Sequence, residues 1–136
     1  MKFRLILCGL LLCILPAGCT AAPVPEETPS YRQITQEEAQ KILEEETGYI
    51  LLDVRTEEEW NDGHIPGSIC IPNETIGAAP LPQLSDKDQM ILIYCRSGRR
   101  SKLAAEKLAA QGYRNVLEFG GIITWTGAIT HPMATE

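Results

Sequence analysis

Short apolar runs alternate with segments of helical character from Tyr31 onward. Tyr49–Val54 and Met90–Tyr94 are almost continuously apolar, and each has the length of a strand rather than of a buried helix. A run of this kind is typical of a parallel strand that is covered on both faces. Strands of this type, separated by helices, predict an α/β fold in which helices cover both faces of a mostly parallel sheet.

Helix boundaries can be read from capping residues. Thr35–Glu38 and Thr56–Glu59 each match the capping box, in which a Thr N-cap is followed three residues later by Glu. The first helix is predicted to run to about Glu46, and the second to end at Gly63. Further strands are expected at Ile69–Ile71 and Asn115–Glu118, and further helical segments at Ser101–Gln111 and around Trp125.

The first residues have the pattern of a secretory signal. Lys2 and Arg4 precede the apolar stretch Leu5–Leu15, and small residues follow. The apolar stretch is shorter than the about 20 residues that span a membrane. We therefore expect residues 1–18 to be a signal peptide; a short anchor or a buried strand is the alternative.

The end of this signal resembles the lipobox of bacterial lipoproteins. Ala17, Gly18 and Cys19 fit that motif, whereas Pro16 stands where an aliphatic residue is usual. The resemblance implies lipid on Cys19 and an exported protein anchored on the periplasmic or extracellular side of a membrane. Ordinary cleavage nearby, without lipid, is the alternative.

A proline-rich segment follows at residues 19–30. Its three prolines and its lack of apolar periodicity predict a semi-extended tether that leads into a domain at residues 31–136. The formal net charge of the chain is −6. This acidic balance argues against a nucleic-acid partner, which needs a basic face.

The loop after the run Met90–Tyr94 combines a cysteine with positive charge. Cys95 stands at the mouth of a predicted parallel strand, and Arg96, Arg99 and Arg100 follow it. The next helix offers free backbone N–H groups and the positive end of its dipole, so the thiolate form is favoured. Cys95 is therefore predicted to be a nucleophile for an anionic, electrophilic substrate. A buried small residue among solvated arginines is the alternative.

Three motifs resemble those of rhodanese-domain sulfurtransferases. Cys95-x-x-Gly98-x-Arg100 resembles the active-site loop of that family. The resemblance covers Tyr31 to Thr126 and implies a three-layer fold with a five-stranded, mostly parallel sheet, in an exported single-domain member. The second motif lies upstream of the loop and consists of Asp53-Val54-Arg55, Glu59-Trp60 and Gly63–Gly67. The third motif lies downstream and consists of Gly120-Gly121 followed by Trp125.

The resemblance implies a sulfurtransferase mechanism. The Cys95 thiolate attacks the outer sulfur of thiosulfate or a persulfide donor, and a thiophilic acceptor (cyanide or a thiol) then takes the sulfur from the Cys95 persulfide. No metal or organic cofactor is implied, and the sequence shows no Cys/His spacing suited to zinc. The residues expected to bind the small anionic donor and the persulfide are Arg96, Ser97, Gly98, Arg99, Arg100 and Ser101.

The length of the loop separates sulfur transfer from phosphate chemistry. Related phosphatases and arsenate reductases have five residues between Cys and Arg, whereas four lie between Cys95 and Arg100 here. The smaller loop fits a sulfur atom on the cysteine better than a tetrahedral oxyanion.

Residues upstream of the loop are expected to support it. Asp53, Arg55 and Glu59 are interpreted as structural, with Arg55 able to pair with Glu59 one helical turn later. His64 belongs to a turn motif rather than acting as a general base. Cys70 is either a small buried residue or a resolving thiol that forms a disulfide with oxidised Cys95.

Two other functions are compatible with the sequence. The domain could be a binding module in which Cys95 is incidental, or an exported thiol-redox or detoxification protein. The sequence does not indicate an oligomeric state.

Overall fold

The computed structural model of the chain describes residues 30–77 and 79–132. The predicted signal peptide at residues 1–18, Cys19 and the tether up to residue 29 lie outside the described residues, and so do the last four residues of the predicted domain. Within the described ranges, no helix has both the length and the apolar character needed to cross a membrane.

The described residues form one sheet of five parallel strands in the order β1-β5-β4-β2-β3. The predicted five-stranded parallel sheet is therefore confirmed. Only β1 was not foreseen, because its two residues are polar and exposed at the sheet edge and carry no apolar pattern. The strands are β1 (Arg32–Gln33), β2 (Tyr49–Asp53), β3 (Ile69–Cys70), β4 (Met90–Cys95) and β5 (Val116–Gly121).

Three α-helices connect these strands: α1 (Gln36–Glu45), α2 (Glu57–Asp62) and α3 (Arg99–Ala110). The capping box of α2 is complete, because Thr56 and Glu59 each accept the other's backbone N–H. In α1 only half of the box forms: the Thr35 hydroxyl accepts the Glu38 N–H, while the Glu38 carboxylate lies 3.6 Å from the Arg32 guanidinium.

Two predicted helices differ from the structure. Helix α3 begins two residues before Ser101, because Gly98 adopts the left-handed conformation (φ 99°) and supplies an N-cap without a capping side chain. The helical segment expected around Trp125 is only a 3₁₀ turn at Ile122–Thr124, and two further 3₁₀ turns occupy Asn73–Thr75 and Pro82–Leu84.

Side-chain alternation along β4 divides the core into two layers. Ile91, Ile93 and Cys95 pack on the side of α3, against residues such as Ala105 and Leu108. Leu92 and Tyr94 pack on the opposite side, with Ala39 of α1. Helices therefore cover both faces of the sheet, as the continuous apolar run of β4 predicts.

Candidate active site

Cys95 is the last residue of β4, and the chain turns sharply after it into α3. Its side chain faces α3 and the residue is only 1% exposed. The backbone N–H of Gly98 donates to Cys95 Sγ at 3.0 Å. The loop therefore curls around the sulfur and points backbone donors at it, as the sequence predicts for a strand-to-helix loop.

Hydrogen bonds set the protonation of Cys95. Burial by itself raises the pKa of this thiol, but hydrogen bonds from the Ser101 hydroxyl and from the backbone of Ser101, Gly98 and Ser97 outweigh it and hold the pKa below its usual value. This is the direction expected from the sequence. The leading favourable causes are hydrogen bonds rather than the charges of the loop arginines.

Arg100 is occupied by an ion pair. Its guanidinium donates to both carboxylate oxygens of Glu59, at 2.7 and 2.8 Å. Hydrogen bonds from Arg100 are the largest cause of a Glu59 pKa of about 2. This pair joins α2 to the first turn of α3. Arg100 is one of the residues predicted to bind substrate, but its guanidinium is paired with Glu59 and anchors the loop to α2.

The expected pairing of Arg55 with Glu59 is wrong. Arg55 pairs instead with Asp53, at 2.7 Å, and both side chains are buried. The same guanidinium donates to the backbone carbonyl of Gly63 at 2.7 Å. Asp53 is the last residue of β2 and lies two residues before Arg55, so the Arg55 guanidinium pairs with it. Glu59 is then left to pair with Arg100. Asp53 and Arg55 join the end of β2 to Gly63, and Glu59 joins α2 to α3, so all three residues make structural contacts.

Arg96, Ser97 and Arg99 are exposed on the rim of the loop. In the described part of the chain, neither Arg96 nor Arg99 takes part in a salt bridge. Ile123 lies beside them, because its backbone N–H donates to the Arg96 carbonyl, and this side chain is 63% exposed. The rim therefore presents unpaired positive charge and an apolar side chain to solvent.

Ser101 lies behind the sulfur rather than on the rim. It is fully buried, and its hydroxyl lies 2.6 Å from Glu118 Oε1 and 3.0 Å from the Gly98 carbonyl. Glu118, which the sequence predicts only as part of a strand, is itself 3% exposed. A charged residue in an otherwise apolar parallel strand was the sequence signal that could have identified it.

His64 has the contacts of a structural residue. Its ring stacks on Trp60 with centroids 3.8 Å apart, and its Nδ1 lies 2.8 Å from the Trp60 carbonyl oxygen. The residue is 7% exposed. These contacts agree with the turn interpretation and offer no role in activating Cys95.

Cys70 is separated from the active-site loop by an intervening strand. It lies opposite Asp53 on β2, and Asp53 lies opposite Tyr94 on β4. Two strand spacings amount to about 10 Å, beyond the roughly 7 Å between Cα atoms that a disulfide tolerates. Burial raises the pKa of Cys70 to about 11. The alternative of a resolving thiol therefore does not fit the structure.

Comparison with known proteins gives one consistent family. The family model described as the rhodanese-like domain matches residues 35–128. A sulfurtransferase of Allochromatium vinosum is 38% identical over 96 residues, covering 68% of this chain and 86% of that protein. The thiosulfate sulfurtransferase GlpE of Pseudomonas syringae is 32% identical over 106 residues, covering 77% of this chain and 94% of that protein.

A solved structure and a longer relative add to this similarity. The crystal structure of a rhodanese-like domain protein from Staphylococcus aureus is 30% identical with a TM-score of 0.61, covering 74% of this chain and 97% of that one. A Bacillus subtilis relative is 33% identical over 103 residues, and the match spans only 55% of its length.

Proposed function

Because the chain belongs to the rhodanese-like domain family, we propose that it is a sulfurtransferase that carries a sulfane sulfur as a persulfide on Cys95. The observation that carries the proposal is the cradle of hydrogen-bond donors around the buried Cys95 sulfur, which keeps the pKa of this thiol low. A relative named as a thiosulfate sulfurtransferase supports thiosulfate as one donor.

The reaction proceeds in two transfers. The Cys95 thiolate attacks the outer sulfur of the donor, the bond between that sulfur and the rest of the donor breaks, and the donor remainder leaves with the electron pair. Backbone N–H groups of the loop stabilise the negative charge of the resulting persulfide. A thiol or cyanide acceptor then attacks the outer sulfur, and Cys95 leaves as a thiolate. Ping-pong kinetics follow from the covalent intermediate.

The exposed arginines give the site its preference for anionic donors. Arg96 and Arg99 place exposed positive charge beside the loop of a chain whose net charge is −6. Such a local field raises the concentration of a small anion at the rim. A phosphatase loop with five residues between Cys and Arg would place its arginine at position 101, where this chain has Ser101, and Arg100 itself is paired with Glu59.

The proposal extends to where the protein works. A lipoprotein signal at residues 1–18, lipid on Cys19 and a tether at residues 19–30 would hold the domain at the outer side of the membrane. The mass of the mature chain tests this. A chain that begins at Cys19 and carries diacylglyceryl supports the anchor, whereas an unmodified chain cleaved elsewhere contradicts it.

Sulfur transfer is tested by mass spectrometry after incubation with thiosulfate. Cleavage after Lys87 and Arg96 releases a peptide in which Cys95 is the only cysteine. We expect this peptide to gain one sulfur atom in the wild type and in the Cys70→Ser control, and cyanide to remove it. Cys95→Ser is expected to gain none. If the wild-type peptide gains no sulfur from thiosulfate or an organic persulfide, the proposed function is wrong.

A further inference from the structure

A buried carboxylate lies between the end of β5 and the start of α3. The side chains of β5 alternate between the two layers of the core, so Glu118 faces α3, whereas Leu117 and Phe119 face α1. Glu118 is 3% exposed. A carboxylate that is taken out of water loses its hydration, and the hydrogen-bond donors around it must replace that hydration. The contacts of Glu118 therefore show what this side chain does in the fold.

One oxygen of Glu118 contacts two neighbouring turns of the chain. Its Oε1 accepts the Gly120 backbone N–H at 2.9 Å and lies 2.6 Å from the Ser101 hydroxyl. The carbonyls of Gly98 and Gly120 are the other acceptors near this hydroxyl, at 3.0 and 3.4 Å, so Oε1 is the nearest of the three. The Gln33 side-chain amide contacts the other carboxylate oxygen at 3.4 Å. Glu118 thus joins the end of β5 to the first turn of α3.

Two glycine backbones meet beside this carboxylate. Gly98 and Gly120 both have a left-handed conformation, with φ of 99° and 93°. A Cβ on Gly98 would lie 3.5 Å from Gly120 Cα and 4.0 Å from Glu118 Oε1, so the two backbones are in direct contact. The N–H of the same Gly98 donates to Cys95 Sγ at 3.0 Å. A shift of Gly120 would therefore be transmitted to a hydrogen-bond donor of the sulfur.

The end of β5 forms one wall of the active-site loop. Gly121 packs so closely against the Arg96 carbonyl that no side chain would fit between them. Gly120 and Gly121 carry no side chains that could anchor this wall in the core. Its position therefore depends on hydrogen bonds, which are the bond from the Gly120 N–H to Glu118 and the bond from the Gln36 side-chain amide to the Gly121 carbonyl at 2.8 Å.

We propose that Glu118 is a positioning residue, whose buried side-chain oxygen holds the end of β5 against the start of α3 and so fixes the loop donors around the Cys95 sulfur. Glu118 acts through Gly120 and Ser101 and does not touch the reacting atoms. Its importance for sulfur transfer rests on the proposed function, in which Cys95 must keep one geometry through two transfers. The placement of donors around the Cys95 thiol does not depend on sulfur transfer and can be measured separately.

Two neutral variants isolate the contribution of the hydrogen-bond acceptor. Glu118→Gln keeps an oxygen that can accept from both neighbours, whereas Glu118→Met has a similar length and only a weak acceptor. Both variants remove the carboxylate charge, so any through-space effect of that charge is the same in both. The rate of Cys95 alkylation by iodoacetamide is measured over pH, using the peptide released by cleavage after Lys87 and Arg96.

The midpoint of the alkylation profile is expected to lie about one pH unit higher in Glu118→Met than in Glu118→Gln. Burial raises the pKa of Cys95, but the hydrogen bonds of its loop outweigh burial, and displaced donors would lower the pKa less. A hydrogen bond to a charged group changes a pKa by about one to two units. The other charged groups near the sulfur are the same in both variants; they are Arg96, Arg99, Arg100 with its partner Glu59, and Glu74.

Tyr113→Phe is the control for a general loss of stability. The Tyr113 hydroxyl donates to the Leu84 carbonyl, and this buried hydrogen bond lies before the start of β5, at the opposite edge of the sheet from Cys95. We expect Tyr113→Phe to unfold at a lower denaturant concentration than the wild type and to keep the wild-type midpoint of alkylation. A rise in midpoint as large as that of Glu118→Met would overturn the proposal, because loosening anywhere in the domain would then produce it.

Equal midpoints in Glu118→Met and Glu118→Gln would also overturn the proposal. Circular dichroism shows whether each variant is folded. If Glu118→Met does not fold, Glu118→Asp decides, because it keeps the charge but is one methylene too short for one oxygen to hold both neighbours. Its midpoint is expected above that of the wild type, and an equal midpoint would overturn the positioning role. A wild type that is alkylated but forms no persulfide would contradict the proposed function alone.

Discussion

Gly121→Ala tests whether the position of the loop controls the chemistry. In β5, Gly121 lies opposite Cys95, after a shift of register between β4 and β5. A Cβ at this position would lie 2.6 Å from both the Arg96 carbonyl carbon and Ser97 Cα, where ordinary contacts begin at 3.4 Å. The Arg96 carbonyl oxygen would lie closer still, and all three obstacles are backbone atoms, so relief requires the loop to move by about 1 Å. Overpacking of this kind costs about 1–3 kcal/mol in stability.

The functional loss is expected to exceed the loss of stability. A displacement of about 1 Å in a catalytic group can lower the rate about 100-fold. The hydrogen bonds of Gly98 and Ser101 to the sulfur would lengthen, and the pKa of Cys95 would rise because those bonds hold it down.

The assays for this prediction are persulfide formation, the pH profile of alkylation and chemical denaturation. Gly112→Ala is the matched control. It costs about 1–2 kcal/mol through backbone strain alone, because Gly112 has a φ of 90° and open space around it. We expect the control to lose stability while keeping its reactivity. A Gly121→Ala protein whose persulfide formation and Cys95 pKa match those of the wild type would refute the argument.

Two further predictions concern charge. Glu59→Gln keeps the capping contact but removes the charge that pairs with Arg100, and we expect a loss of about 1–2 kcal/mol at pH 7 after allowing for partial exposure. The folded-state pKa of Glu59 lies at about 2, below the usual 4.5, so the difference in unfolding free energy is full above pH 4.5 and is lost as the pH falls through about 2. Denaturation at several pH values measures this difference. A difference that does not change with pH would contradict the ion pair. The Arg96→Ala, Arg99→Ala double variant is expected to have a thiosulfate KM several-fold higher than the wild type, with little change in kcat. Its KM is also expected to depend less on salt concentration. An equal salt dependence of KM in both proteins would argue against capture of the donor by these arginines.

The sheet and the position of Cys95 at the end of one of its strands could be predicted from the sequence because local patterns specify them. The apolar runs of β2 and β4 have the length and composition typical of covered parallel strands, and Cys95 comes directly after the run Met90–Tyr94. The Thr56–Glu59 capping box is likewise a local pattern, and both of its hydrogen bonds form.

The partners of charged side chains could not be predicted in the same way. Helical spacing suggested Arg55 with Glu59, but a buried guanidinium takes the nearest carboxylate that is also buried, which is Asp53. Glu59 is then paired with Arg100, 41 residues later, and sequence spacing gives no signal for such a contact. The link between Ser101 and Glu118 depends in the same way on how α3 packs on β5.

The structure separates two roles that the sequence had assigned to the same arginines. Stabilising the thiolate falls to buried hydrogen bonds, which keep their strength because water and salt do not reach them. In the proposed function, drawing in an anionic donor falls to Arg96 and Arg99, whose exposed charges act at a distance and are screened by salt. Arg100 does neither directly, since Glu59 holds it. This division suits the proposed sulfur carrier, because the backbone donors stabilise the thiolate and the persulfide alike and so favour neither state over the other.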